Sequence, residues 1–341
     1  MPIQTNVNYQ QVLSMALEDR SRTWQDIISN AIPLFDVLRR KGLWQSYSGP
    51  TIRQTLRFDL PSIQWYSGYD FLANPPRELF NDAYFTPKMA ATPVSLTMQE
   101  ILNNSGQAQI FDVMGEYIQA AEDGLAQGMD VALYGDGTLG GGKAIGGLGL
   151  AVPIVANTGT YGGISRTNFP IWRTNSYDAQ TAFPTIGTQI DSTTIRPILN
   201  TIYNTVTRGN RRPDILLMSS EHWNAYDASL VAHQRITNEN GIGRLGFSTL
   251  QYIGPGSGKG IEVVFGGGKG SNMPANTTFG LETDSLRMRY NPDRNFDTLF
   301  PGDGMKPINQ DALAQFVGWM GELTMTNPLF NFRLYDSNPA A

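Results

Sequence analysis

At 341 residues, with 40% hydrophobic and 11% aromatic residues, the chain is long enough for two compact lobes or one lobe with large insertions. It carries a net charge of −5, only 16% charged residues and no cysteine. These figures exclude disulfides, thiolate chemistry and cysteine-ligated metal, and argue against the phosphate neutralisation on which tight nucleic-acid binding rests. The charged fraction lies below the ~25% of ordinary soluble domains. Low charge with many aromatics suits a chain whose surface is covered by other subunits. No run approaches the ~18–20 apolar residues of a membrane span. The opening Met1-Pro2-Ile3-Gln4-Thr5-Asn6 has neither the basic nor the apolar part of a secretion signal, so synthesis in a cytoplasm is expected and the sequons at Asn103 and Asn276 read as chance matches.

Residues 8–42 have helical spacing: Val12, Met15, Ala16, Trp24, Ile27, Ile28 and Ala31, then Leu34, Val37 and Leu38. Pro33 splits the stretch into at least two helices, and Arg39-Arg40-Lys41 followed by Gly42 fits a helix end. From residue 43 the period changes to two, with Ile52, Leu56 and Phe58 alternating with Thr51, Arg53, Thr55 and Arg57. Between Pro61 and Pro76 stand Trp65, Tyr66, Tyr69 and Phe71 with Gly68 and Pro75, a mixture no regular strand holds. An extended return follows over residues 83–90, so 43–93 reads as a long hairpin with an irregular aromatic tip.

An excursion of roughly 50 residues without its own core is normally functional. Either it is a lid over a ligand cleft, or it lies on a neighbouring subunit. Arg53 and Arg57, with Asp59, Asp70, Glu78 and Asp82 elsewhere, suit pairing between subunits. Trp65, Tyr66, Tyr69, Phe71 and Lys88, the one lysine of the hairpin, complete the candidate inter-subunit contacts.

Ile110, Val113, Met114, Tyr117, Ala121, Leu125 and Met129 predict a long helix from Gln107 to Tyr134, ~40 Å in length. Gly115, Gly124 and Gly128 weaken it and are expected where something packs closely. Gly137 and Gly142-Lys143 then match the spacing of a phosphate-cradling loop. That loop requires a preceding strand, a following helix and a Ser or Thr after the lysine. Here Ala144 follows, a helix precedes, and Gly146-Gly147-Leu148-Gly149 is too glycine-rich to begin one, so the segment reads as a structural hinge.

Residues 151–190 are turn-rich. Asp191 or Ser192 caps a helix carrying Ile195, Ile198, Leu199, Ile202 and Val206, closed by Gly209. Ile215–Met218 reads as a buried strand, residues 221–236 as a second helix, and the remainder as short strands at 261–265, 278–281, 286–290, 316–323 and 330–335. His222 and His233 lie on one helix ~16 Å apart and share neither metal nor proton. Ser219 and Ser220 lack a nucleophile elbow, and Asp284, Asp293, Asp297 and Asp303 lack the spacing of a calcium loop. The turns at Gly256-Ser257-Gly258-Lys259 and Gly266-Gly267-Gly268-Lys269 lack the upstream glycine of a phosphate loop. No catalytic, cofactor-binding or metal site is read, and the chain is not read as an enzyme.

The order of parts resembles the major capsid protein of tailed bacteriophages, the Hong Kong 97-type shell fold also used by encapsulins. The likeness is carried by Asn104-Ser105-Gly106-Gln107 opening the long helix and Leu133-Tyr134-Gly135-Asp136-Gly137-Thr138 closing it. Gly142-Lys143-Ala144-Ile145-Gly146-Gly147-Leu148, Ile171-Trp172-Arg173-Thr174 and Arg212-Pro213-Asp214-Ile215 complete it. The resemblance implies an α+β chain with an N-terminal arm (1–43) and an extended β-hairpin loop (44–93). A peripheral domain with the spine helix (94–150), an axial α/β domain (151–275) and C-terminal strands returning to both (276–341) follow.

It further implies hexamers and pentamers of an icosahedral virion shell, made in the cytoplasm of a bacterial host, around packaged double-stranded DNA that is bound without sequence specificity. Scaffolding, portal and decoration proteins are the implied partners, with no membrane and no cofactor. A mildly acidic chain would let DNA pack without adhering to the wall. Some members join a loop Lys to an Asn by an isopeptide bond, and that chemistry is not carried over to Lys88, for which no Asn partner is read. The alternatives are an encapsulin-like nanocompartment shell and an enzyme with 43–93 as a lid.

Overall fold

The computed structural model describes residues 32–57, 63–72, 80–99, 107–209, 211–230, 250–254, 260–268, 270–299 and 311–339. The first predicted helix of the arm, Phe58, Asp59, Glu78, His233, Asp303 and Asn104-Ser105-Gly106 lie outside these residues, and of Arg57 only the backbone is described.

Helix α1 (Pro33–Arg40) starts on the proline that the sequence marked as a break, because a missing N–H costs nothing in a first turn. Leu34, Phe35, Val37 and Leu38 are buried, and Gly42, at φ +69, turns the chain out of it. Two four-residue-spaced faces are thus divided: apolar inward, and Asp36 with Arg40 outward. Arg40 Nη2 reaches Glu262 Oε1 at 2.7 Å and Lys41 Nζ reaches Asp214 Oδ2 at 2.6 Å, which ties the arm's end to the axial sheet.

Two sheets organise the chain. The peripheral sheet has the order β1 (Trp44–Ser46), β12 (Leu286–Thr298), β13 (Ala312–Met325), β4 (Lys88–Thr97). The spine helix α2 (Gln107–Tyr134) packs along β4 with Ile118, Ala121, Leu125, Met129 and Leu133 buried, the face its periodicity predicts. The axial sheet runs β7 (Asn175–Asp178), β14 (Phe332–Tyr335), β11 (Thr277–Leu281), β8 (Ile215–Met218), β10 (Ile261–Phe265), β9 (Leu250–Tyr252). Strand β8 is central and buried at every residue, as a continuous apolar run requires. Helices α3 (Ile195–Val206) and α4 (Ser220–Leu230) accompany it, giving the predicted helix–strand–helix order. Two hairpins complete the fold: β2 (Ile52–Arg57) with β3 (Phe80–Phe85), and β5 (Thr160–Tyr161) with β6 (Ile164–Ser165).

Three expectations change. Lys88 is not in the hairpin: the return segment divides at Thr86-Pro87, and Lys88 opens β4, paired with Gly321 of β13. Strand β12 continues eight residues beyond Tyr290 to Thr298, with irregular register on either side of Asn295 that absorbs Asn291-Pro292. Gly124 and Gly128 do not mark close packing within the chain, since a Cβ at either would meet nothing within 4 Å. They form the floor of an open groove instead.

The phosphate-loop spacing is also resolved as a turn. Gly140, Gly141 and Gly142 take φ values of +63, +70 and +82, so the chain winds left-handed where an anion-binding loop would launch a helix. Gly147 is required on steric grounds, because a Cβ there would stand 2.2 Å from the carbonyl oxygen of Leu133.

Candidate assembly surface

The hairpin base is fastened to its own chain. Ile52, Gln54 and Leu56 on β2 and Ala83 and Phe85 on β3 face inward, the alternate residues of a period-two ribbon. Gln54 Nε2 donates to Thr324 Oγ1 of β13 at 2.9 Å, and Tyr84 N–H donates to the Gly162 carbonyl at 2.9 Å. The ring of Phe85 meets Tyr161 edge-on at 5.1 Å. Gly162, at φ +58, lets this happen: a Cβ there would be 2.9 Å from the Phe85 ring.

The tip is the opposite. Trp65 is 93% exposed, Tyr69 108% and Phe71 93%, and Ile63, Tyr66 and Leu72 are exposed beside them. The turn that carries them is closed by Asp70 Oδ2, which accepts the Ser67 N–H at 2.9 Å, with Gly68 at φ +56. A contiguous apolar patch of this kind on a local turn marks an interaction surface. Among the described residues these rings rest on no part of their own chain, whereas a lid would have to cover a cleft.

Arg53 and Asp82 form an ion pair at 2.5 Å across the hairpin, in register through the Arg53–Tyr84 and Thr55–Asp82 pairs. The Arg53 guanidinium and the Thr55 hydroxyl hold the Asp82 carboxyl below its usual range. Within the chain, the carboxylate beside Arg53 is thus one of its own hairpin. Lys88 lies apart from the tip, where its Nζ donates to the Gly142 carbonyl at 2.8 Å.

Between β4 and α2 runs a groove of about 310 Å³, floored by Gly124 and Gly128 and walled by Met89, Leu125, Met129 and Leu139. Sequence reasoning saw these glycines and missed the groove, because the same pattern serves close packing and open space.

The remaining polar candidates have structural employment. His222 is buried, with Nδ1 2.8 Å from Thr278 Oγ1, and burial pushes its pKa down to about 4. Ser219 Oγ accepts the Thr277 N–H at 3.3 Å. Among the described residues, no group of three His, Asp or Glu side chains is placed to hold a metal, and no helix is long and apolar enough to cross a membrane. One acid went unnoticed: Glu322, 5% exposed on β13, whose burial raises its pKa to about 7. The signal was a lone carboxylate inside the apolar run Phe316–Met325.

No protein-family model matches the chain, and no curated protein does. Solved structures do. A protein of the cyanophage A-1(L) capsid asymmetric unit is 21% identical, with 89% of this chain and 92% of that one covered at a TM-score of 0.64. The capsid of a native GTA particle matches at 10% identity, 88% and 89% coverage and a TM-score of 0.53. The holo-SrpI encapsulin complex of Synechococcus elongatus PCC 7942 matches at 11% identity, 86% and 84% coverage and a TM-score of 0.50. Over nearly its whole length, the chain thus has the Hong Kong 97-type fold of tailed-phage capsid shells that its sequence resembles.

Proposed function

We propose that this chain is a structural virion protein, the major capsid protein of a tailed bacteriophage. It assembles into hexamers and pentamers of an icosahedral shell that encloses packaged double-stranded DNA. The observation that carries the reading is the pairing of a capsid fold with an aromatic tip held away from its own core on a fastened base. A shell protein needs a self-complementary surface and extensions that overlap neighbours, and it needs no active site. Trp65, Tyr66, Tyr69 and Phe71 are the proposed inter-subunit anchors, because large aromatic side chains in a desolvated contact dominate interface energy. Arg57 and Lys88 are proposed as flanking contacts, and Arg53 as a contact that keeps its bond to Asp82. Scaffolding, portal and decoration proteins are the proposed partners, and the virion is the proposed location.

Electron microscopy of the purified chain, alone and co-expressed with its genomic neighbours, tests the reading. Closed shells, or rings of five or six, are expected. Dispersed monomers under both conditions would overturn it. Shells filled with a protein cargo, and never with DNA, would favour the encapsulin-like alternative.

A further inference from the structure

The two carboxyl oxygens of Glu322 are held unequally, with the backbone of Gly146 and of Leu323 favouring the anion. Its Oε1 accepts the Gly146 N–H at 2.6 Å, while Oε2 is buried with no hydrogen-bond partner among the described residues. A carboxylate with an empty buried oxygen is costly when ionised and tolerable when neutral. Four residues back along the same turn, the Gly142 carbonyl is held by Lys88 Nζ at 2.8 Å. The glycine turn after the spine helix is therefore tied at two points, to β13 through an acid and to β4 through a base.

The two ends differ in freedom. At Gly147 the backbone is jammed against the end of α2, where an added Cβ would stand 2.2 Å from the Leu133 carbonyl oxygen. Around Gly141 and Gly142 there is open space, and the turn is closed internally by the Gly142 N–H to Thr138 and by the Lys143 and Ala144 N–H groups to Leu139. Leu139, Gly140 and Lys143 also form one wall of the groove beside α2.

The charged and titratable groups around Glu322 come from three elements. Lys88 of β4 supplies the field that favours its anion. Arg289 of β12 is its cross-strand partner in register. Tyr161 of β5, with Arg166 stacked 5.2 Å from its ring, is a buried phenol whose pKa is itself raised by burial and by Glu322. The turn at Leu148–Ala151 adds only apolar Leu150.

We propose that Glu322 and Lys88 form a proton-operated latch on the glycine turn 139–146. With Glu322 neutral, Lys88 stays on the Gly142 carbonyl and the turn is closed at both ties. When Glu322 gives its proton to solvent, Lys88 leaves that carbonyl for the unfilled Oε2, and the 139–143 wall of the groove is released. Burial holds the Glu322 pKa at about 7, so both states are populated near neutrality. Any contact made on this groove is thereby linked to pH.

Hydrogen exchange of the Gly142 and Ala144 amides on the full chain, expressed as protection so that intrinsic base catalysis is removed, tests the latch. Between pH 6 and pH 8 protection should fall about tenfold in the wild type, following the ionised fraction of one group titrating at 7. Glu322→Gln should stay protected at both pH values, and Lys88→Met should be unprotected at both. The two variants thus remove the step at opposite levels, which a general loss of structure does not produce. A flat wild-type profile, a step that persists in either variant, or Lys88→Met amides protected as in acid wild type would each overturn the proposal.

Discussion

The base and the tip of the hairpin β2–β3 are drawn from similar residues and treated in opposite ways. Phe85 at the base is 6% exposed and seated on Tyr161, whereas Phe71 at the tip is 93% exposed. Hydrophobicity alone does not distinguish them. What does is the partner: the base finds β13 and the β5–β6 hairpin within its own chain, and among the described residues the rings of Trp65, Tyr69 and Phe71 stay exposed. A core built by one chain and a patch kept for another can therefore follow each other within about twenty residues of the same ribbon.

The comparison can be broken most directly at the tip. The triple variant Trp65→Ser, Tyr69→Ser, Phe71→Ser should abolish assembly, since each anchor carries ~2 kcal/mol or more at every contact, while the monomer's melting temperature stays where it was. Sedimentation velocity and calorimetry on the same sample read both effects. A melting temperature that falls with assembly would mean the tip belongs to the chain's own fold.

Phe85→Ala should do the reverse, costing about 3–5 kcal/mol of folding stability in a denaturant titration. Acid separates core from tip in a third way. His222 is neutral in the folded axial core with its pKa depressed to about 4, so its contribution is fully present above its unfolded value of 6.5 and is lost as pH falls toward 4. That amounts to about 3 kcal/mol, and a His222→Gln variant should show a correspondingly flatter acid limb. Glu322 has the opposite slope: its raised pKa gives a contribution complete below 4.5 and lost as pH rises through 7.

The smallest effect is expected at the groove. Gly128→Ala meets open space and removes a flexible residue from the spine helix, so thermal unfolding should show a gain of ~1 kcal/mol. A loss would mean the groove closes in solution.

Much of this architecture was legible in the residues. The spine helix runs over the predicted Gln107–Tyr134, the buried strand over Ile215–Met218, and helix α3 over the apolar face predicted for it, because long amphipathic or uniformly apolar segments declare their period. The aromatic tip was legible as an excursion, since prolines and glycine beside four aromatics fit no strand. Lys88 was misassigned for a physical reason: period two continues across Phe85–Ala90, and the change of sheet at Thr86-Pro87 depends on β13, more than 200 residues away. The groove was hidden because glycine in a helix is equally consistent with contact and with vacancy. The Arg53–Asp82 pair was not legible because a cross-strand partner is set by hairpin register, which the irregular tip conceals.

The central claim is that the tip is built for another copy. Cryo-electron microscopy of the assembled particle, followed to the side chains of Trp65 and Tyr69, measures it directly. The account predicts both rings buried against a second copy of the chain. Rings folded onto their own subunit, or left in solvent within a closed shell, would contradict it.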